Sequence, residues 1–151
     1  MAGIQFESGI REYPLRLYEG QDPVVVRFNP TNMIFVERVL NAFDRMDEIQ
    51  EDYRKRIDAV DPERDYKAVF ELTHGMEDAL RETLNDTFNM DICTPLFGAY
   101  ESVYAAGEGF PIWANILLAV VDEFDESFVK EREKTNPRLK KYTDKYRKRS
   151  K

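Results

Sequence analysis

Hydrophobic and polar positions alternate with a period of two near the start of the chain. The alternation runs on both sides of the turn-forming sequence EGQDP, and its hydrophobic members are Leu15, Leu17, Val24, Val26 and Phe28. Period-two alternation around a Gly/Asp/Pro turn predicts a β-hairpin within residues 1–28. Ile4 and Phe6 are also two positions apart, which is compatible with a short third strand.

From residue 29 the spacing of hydrophobic positions changes to three and four, which predicts a long first helix. Its stripe is interrupted only by Gln50 and consists of Val36, Val39, Leu40, Phe43, Met46, Tyr53, Ile57 and Val60. Asn29 or Thr31 is expected as the N-cap, because Pro30 suits the first helical turn. The second half of this helix is so polar that we expect it to need a packing partner.

A second helix is predicted to begin at Asp61, with Pro62 in its first turn. Its stripe consists of Tyr66, Val69, Phe70, Thr73, Met76, Leu80, Leu84 and Phe88. Gly75 lies inside this helix and is expected to weaken it by about 1 kcal/mol relative to alanine.

Two further helices follow. A third, short helix is predicted from Thr94 as N-cap to Gly107, and a fourth from about Phe110 to about Lys134, ahead of the Asn136-Pro137 break. The stripe of the fourth helix is Trp113, Ile116, Leu117, Val120, Phe124 and Phe128. The predicted fold is therefore α+β and mainly α, with an N-terminal β-hairpin or small sheet packed on about four helices. Residues 1–135 form one domain (1–28 hairpin, 29–135 helical), and 136–151 form a basic tail.

The charge is divided unevenly along the chain. The net formal charge is −7, but residues 130–151 contain eleven Lys and Arg against three acidic residues and so carry +8. Residues 1–129 then carry −15. An acidic body with a basic terminal segment suggests an interaction tail.

Candidate catalytic groups are sparse. Glu71 and His74 have the i, i+3 spacing of a carboxylate-bridged di-iron helix, but a second such pair is impossible with one histidine. Cys93 is the only cysteine and has no surrounding nucleophile motif. The acidic run 122–126 is interpreted as a solvated helix face. We therefore expect no catalytic, cofactor or metal site, and no enzymatic activity.

The beginning MAGIQFESG lacks the basic and apolar regions of a secretory signal. The most apolar run, Ile112–Val121, has ten residues, whereas a membrane-spanning helix needs about 20. These features, with a single cysteine, predict a cytoplasmic protein that does not act at a membrane.

The basic tail is the strongest functional signal. Leu139, Tyr142 and Tyr146 have helical spacing, so a helix would place them on one side among cations. Four interpretations are open: protein docking, nucleic-acid binding through phosphates and stacked tyrosines, a membrane surface, and a solvated terminus without a partner. The candidate partner-binding residues are Met46, Tyr53, Leu139, Lys140, Lys141, Tyr142, Tyr146 and Arg147.

Two stretches carry a resemblance to a known family. FNPTNMIFVERVLNAFDRMDEIQEDY, after a short β segment, and NPRLKKYTDKYRKRSK at the end resemble the tail assembly chaperones of long-tailed phages and prophages of Gram-positive bacteria. The resemblance extends over most of the chain, although its motifs are not catalytic signatures.

The resemblance implies a helper protein that coats the tape measure protein, helps recruit tail tube subunits, and leaves before the virion matures. It also implies self-association, a location in the cytoplasm of the bacterial host, and a longer form made by ribosomal frameshifting. The alternative is an accessory protein that binds nucleic acid through its basic tail.

Overall fold

The computed structural model describes residues 3–107 and 109–133. In chain order the elements are β1 (Arg11–Leu15), β2 (Val24–Phe28), α1 (Met33–Asp58), α2 (Tyr66–Phe88), α3 (Cys93–Phe97), β3 (Ala106–Gly107), β4 (Phe110–Pro111) and α4 (Ile112–Glu133). The predicted class is confirmed, since a two-stranded N-terminal hairpin packs on four helices. The predicted basic tail, residues 136–151, lies outside the described residues. In the described ranges, no helix is both long and apolar enough to cross a bilayer.

The hairpin pairs β1 with β2 in an antiparallel register from Arg11 opposite Phe28 to Leu15 opposite Val24. The second strand agrees with the prediction, whereas the first begins earlier and leaves Leu17 in the loop. The possible third strand does not form: Ile4 and Phe6 belong to no strand and are highly exposed.

Phe28 joins the hairpin to the helices. Its ring stacks on Tyr13 of β1 at 4.4 Å and on Phe35 of α1 at 4.7 Å, and lies edge-on to Phe124 of α4 at 6.0 Å between ring centroids. Aromatic pairs at these distances contribute beyond their buried area. An isolated two-stranded hairpin is marginal in water, so this cluster supplies the helical support that the hairpin requires.

Both long helices begin later than predicted. Asn32 caps α1 by accepting a hydrogen bond from the Ile34 amide, while Asn29 instead accepts from the Thr31 amide in a turn before the helix. Asp65 caps α2 by accepting from the Ala68 amide, and Asp61 belongs to the connecting turn. In both cases the Asx-Pro signal marks the turn before the helix rather than its cap.

The helices α1 and α2 pack against each other closely at Gly75. A Cβ atom at this position would lie 3.2 Å from both Cε1 and Oη of Tyr53. The glycine that was predicted only to weaken α2 therefore makes room for the tyrosine ring. Elsewhere along α1 the core positions are Val39, Ala42, Met46 and Ile49, whereas Leu40, placed in the predicted stripe, is half exposed.

The third helix is much shorter than predicted. The helix α3 ends at Phe97, and Gly98 follows it with a φ of +58°. Instead of continuing to Gly107, the chain turns and forms the small antiparallel pair β3–β4. This second hairpin was not predicted, since two-residue strands are too short to give a period-two signal.

The helix α4 also packs against α1. Its buried residues include Trp113, Leu117, Val120 and Phe124, all of which lie on the predicted stripe. The indole Nε1 of Trp113 donates a hydrogen bond to the side-chain oxygen of Gln50 on α1. The one polar position in the predicted stripe of the first helix is thus paired with a buried core residue.

Candidate functional site

The far end of the α1–α2 pair extends beyond the core. The last buried residue of α1 is Ile49 and the first buried residue of α2 is Met76, and none of the residues 50–75 between them is buried. The helices α1 and α2 form a helical hairpin, and we call its end, residues 51–75, the hairpin tip. At a rise of 1.5 Å per residue, the eight helical residues 51–58 advance by about 12 Å.

The tip projects because α4 meets α1 well before the end of that helix. Trp113 of α4 reaches Gln50. Arg54, one turn further along, donates from Nη2 to the Tyr104 hydroxyl at 3.4 Å. Beyond Arg54, no side chain of α1 forms a hydrogen bond with a described residue outside α1 and α2.

Two aromatic side chains stand on the outside of the tip. Tyr66 and Phe70, one turn apart on α2, are each 60% exposed. Their rings lie 6.2 Å apart at an interplanar angle of 80° and so form an edge-to-face pair with each other. Single exposed hydrophobic residues are common, but an adjacent aromatic pair on a projecting element is typical of a protein-contact surface.

The flanks of the tip are charged and locally paired. Arg56 contacts Asp52 at 2.6 Å, and its guanidinium lies 4.9 Å from the Tyr53 ring centroid. Arg64 and Asp61 are 3.6 Å apart in the connecting turn. Exposed pairs of this kind contribute little to stability, so their main effect is to surround the aromatic pair with charges of both signs.

A hydrogen-bonded cluster fixes the base of the tip. Glu77 of α2 accepts from Arg81 Nε at 2.7 Å, from Ser102 Oγ at 2.5 Å and from the Val103 amide at 3.0 Å. Arg81 in turn donates to the carbonyl oxygens of Gly98 and Glu101. Because Glu77 and Arg81 each bind residues that follow α3, the cluster ties this part of the chain to α2.

The ionisation of Glu77 reflects this cluster. Burial acts to raise the pKa of Glu77, but the hydrogen bonds from Ser102, Val103 and Arg81, with the positive charge of Arg81, outweigh it and lower the pKa. The carboxylate is therefore held ionised by its donors. The three hydrogen bonds that this carboxylate accepts join α2 to the chain after α3.

The predicted partner-binding residues of the first helix lie in different surroundings. Met46 has no exposed surface, and its assignment to a contact surface is corrected: it belongs to the core between α1 and its neighbours. Tyr53 is half-buried within the tip, between Gly75 and Arg56. Val36 and Phe43 are partly buried core residues. The tail residues lie outside the described part of the chain, and are Leu139, Lys140, Lys141, Tyr142, Tyr146 and Arg147.

The groups considered for catalysis do not form a site together. Glu71 and His74 are both exposed on α2. Cys93 is buried, its Sγ lies 3.6 Å from the Arg81 carbonyl oxygen, and burial raises the pKa of its thiol to about 12. A thiol with such a pKa is not a nucleophile at neutral pH. Within residues 3–107 and 109–133, no three His, Cys, Asp or Glu residues are grouped to hold a metal ion.

The acidic run 122–126 has one buried and several exposed side chains, as expected for an amphipathic helix. Phe124 points into the core, while Asp122, Asp125 and Glu126 are exposed. Glu126 pairs with Lys130 at 2.9 Å along the same helix. This arrangement is that of a solvated face.

Sequence reasoning missed the exposed aromatic pair, since Tyr66 and Phe70 were included in the buried stripe of the second helix. They have the helical spacing of the stripe, but they lie before Met76, the first buried residue of α2. The polar second half of the first helix could have indicated that Tyr66 and Phe70 are exposed, because a polar neighbouring helix does not bury two aromatic rings.

No protein-family model, no curated protein and no solved structure matches this chain. The functional interpretation therefore depends on the surfaces described above and on the sequence itself.

Proposed function

We propose that this is a protein-binding protein without catalytic activity, and that the hairpin tip is its client-binding surface. The observation that carries the proposal is the exposed pair Tyr66 and Phe70 on a projecting helical hairpin. Aromatic side chains give large contact area for little loss of conformational entropy, which is why they dominate binding energy at interfaces.

Within this class, we propose a tail assembly chaperone of a long-tailed phage that binds a tape measure protein and self-associates during tail morphogenesis. The resemblance of residues 28–53 and 136–151 to that family supports the choice of client. Tail tube subunits are a further expected partner. The protein acts in the cytoplasm of the bacterial host and is not part of the mature virion.

The tip fits a helical client in its chemistry. An amphipathic helix presents hydrophobic side chains at three- and four-residue spacing, and Tyr66 and Phe70 are themselves four residues apart. The paired charges beside them offer hydrogen-bonding partners to the polar flank of such a helix. The strongly acidic body adds net charge to the complex, which favours solubility of an otherwise aggregating client.

Co-expression with a tape measure protein tests the proposal. The wild-type chain is expected to increase the soluble fraction of the tape measure protein and to co-purify with it. Replacing Tyr66 and Phe70 together by serine should abolish both effects while leaving the fold intact, because both side chains are mainly exposed. Circular dichroism and thermal unfolding check the fold.

The matched control replaces Lys67 and Glu71, two exposed residues on the same turns of α2, by serine. This variant should retain solubilisation and co-purification. If the wild-type chain neither solubilises nor binds the tape measure protein, the proposed client is wrong. If the control and the aromatic variant lose binding equally, the tip is not the binding surface.

The charge of +8 on residues 130–151 favours nucleic-acid binding as a second candidate function. Phosphate contacts release counterions, so binding should fall steeply as salt concentration rises. A gel-shift assay of the full chain and of a chain lacking residues 137–151 tests this. Absence of a shift at low salt, or a shift unaffected by the deletion, rules out the tail as a nucleic-acid-binding element.

A further inference from the structure

A cleft of about 670 Å³ lies between the N-terminal hairpin, α3 and α4. Its hydrophobic lining includes Leu15, Leu17, Leu96, Ile112 and Ile116. This volume is in the range of about 300–1,000 Å³ that is usual for pockets that enclose a ligand. The cleft is therefore large enough to accept several hydrophobic side chains.

The cleft begins at the end of β1 and continues along the loop that follows this strand. Five consecutive residues, 14–18, line it, and of these only Pro14 and Leu15 belong to β1. Residues 16–18 lie in the loop between β1 and β2. In the described structure the sheet contains only β1 and β2, so no third strand covers the cleft. A segment that presents exposed hydrophobic side chains is the occupant that the hydrophobic lining fits.

The same molecule carries a segment with the matching chemistry. Residues 3–8, which we call the N-terminal arm, contain no helix or strand. Ile4 is 94% exposed and Phe6 is 77% exposed. In an extended conformation these two side chains project to the same side, because they are two residues apart.

The N-terminal arm cannot reach the cleft of its own chain, because the arm and the cleft lie at opposite ends of the β-hairpin. Asn29 Nδ2 donates to the Ser8 carbonyl oxygen at 2.9 Å, which holds the arm beyond the end of the sheet where Arg11 faces Phe28. From Arg11 to Leu15, where the cleft is reached, β1 advances about 13 Å. Phe6 is two residues from Ser8 and reaches about 7 Å at most.

We propose that the N-terminal arm of one copy of this chain docks in the β1–α4 cleft of a second copy, with Ile4 and Phe6 as the inserted side chains. The inference rests on the self-association that belongs to the proposed function, but not on its client. Because arm and cleft are different surfaces, the contact is heterologous, and repeating it generates a chain or a ring of copies.

Two variants of the full-length chain separate the donor from the acceptor. Replacing Ile4 and Phe6 by serine removes the inserted side chains but leaves the cleft intact. Ala119→Arg fills the cleft from an exposed position of α4 and leaves the arm intact. Sedimentation velocity over a range of concentrations should show association for the wild-type chain, and an apparent Kd raised by about tenfold or more for each variant.

Mixing the two variants gives the decisive result. The Ala119→Arg chain can still donate its arm, and the Ile4→Ser/Phe6→Ser chain can still accept it. An equimolar mixture should therefore form one-to-one pairs and no larger species. Replacing Met33 and Ile34 by serine, two exposed hydrophobic residues outside the arm and the cleft, is the control and should associate like the wild type.

The proposal is overturned if the wild-type chain remains monomeric, if the arm variant associates as well as the wild type, or if the mixture forms no pairs. Failure here is distinguishable from failure of the proposed function. A monomeric chain that still solubilises a tape measure protein would remove arm docking and leave the client-binding role in place.

Discussion

At the scale of single residues, Glu77 is the polar group on which the base of the hairpin tip depends. Glu77→Gln keeps the size of the side chain but removes the charge that faces Arg81, and it replaces one of the two carboxylate oxygens that accept from Ser102 and Val103 by an amide group that cannot accept. Hydrogen bonds to a charged group are worth about 1.5–3 kcal/mol, so we expect a loss of that order in the free energy of unfolding. Urea denaturation at neutral pH measures it. Glu82→Gln, an exposed change on the same helix, should have almost no effect.

The effect of Glu77→Gln should also depend on pH. The pKa of Glu77 is lower in the folded protein than the ordinary value of about 4.3, so the folded state favours the ionised form. The resulting stability is fully present above the ordinary pKa and is lost as the pH falls through the lowered pKa. The difference between wild type and variant should therefore be constant near neutrality and shrink in acid. A difference that stays constant below pH 4 would contradict this role of the charge.

Gly75 is a second residue whose effect follows from one close contact. In an unhindered helix, Gly→Ala stabilises by about 1 kcal/mol. Here the new methyl group would press on the Tyr53 ring, so Gly75→Ala should stabilise by clearly less than that amount. In a Tyr53→Ala background the full gain of about 1 kcal/mol should return. A double-mutant cycle by urea denaturation measures the coupling, and equal effects in both backgrounds would show that the contact is unimportant.

At the scale of elements, the hairpin tip should be the least stable part of the two long helices. Opening a segment costs little when it has few buried contacts, and residues 50–75 contain no buried side chain. Amides in 55–58 and 67–72 should exchange hydrogen faster than those in 39–49 and 78–87. Hydrogen exchange followed by mass spectrometry tests this. Equal protection along α1 would mean that the tip is held as firmly as the core, in conflict with its burial.

The elements also show where sequence patterns lose their information. The strand β2 and the stripe of α4 follow directly from spacing, because each has one fully buried face. The starts of α1 and α2 were misplaced by a few residues, because Asn29-Pro30 and Asp61-Pro62 are equally good turn signals. The pair β3–β4 is too short to leave a pattern.

The cleft and the exposed aromatic pair required the tertiary structure. The cleft is built from β1, α3 and α4, which are distant in sequence, so no local spacing predicts it. Tyr66 and Phe70 continue the hydrophobic spacing of α2, but they lie before Met76, the first buried residue of this helix, so spacing alone does not show that they are exposed. By contrast, periodicity placed Leu117 and Phe124 in the core correctly, because helical spacing alone decides which face of α4 is buried.

At the scale of the whole molecule, the clearest feature of the sequence is the separation of negative charge in residues 1–129 from positive charge in residues 130–151. Residues 1–129 carry −15 and residues 130–151 carry +8. Opposite charges of this size attract across several ångströms at low salt and are screened at distances beyond about 8 Å at physiological ionic strength. We expect the basic tail to bind the acidic body of another copy or of a client, with its specificity coming from Leu139, Tyr142 and Tyr146.

A labelled peptide of residues 136–151 tests this expectation against a chain that ends at residue 135. Fluorescence anisotropy should show binding that weakens as salt is added, because rim charges act mainly through long-range attraction. A peptide of the same composition in scrambled order keeps the charge but disperses the three hydrophobic residues, and it should bind less tightly. Equal binding of both peptides would show that the tail binds through its charge alone. No binding at low salt would show that the acidic body does not bind the tail.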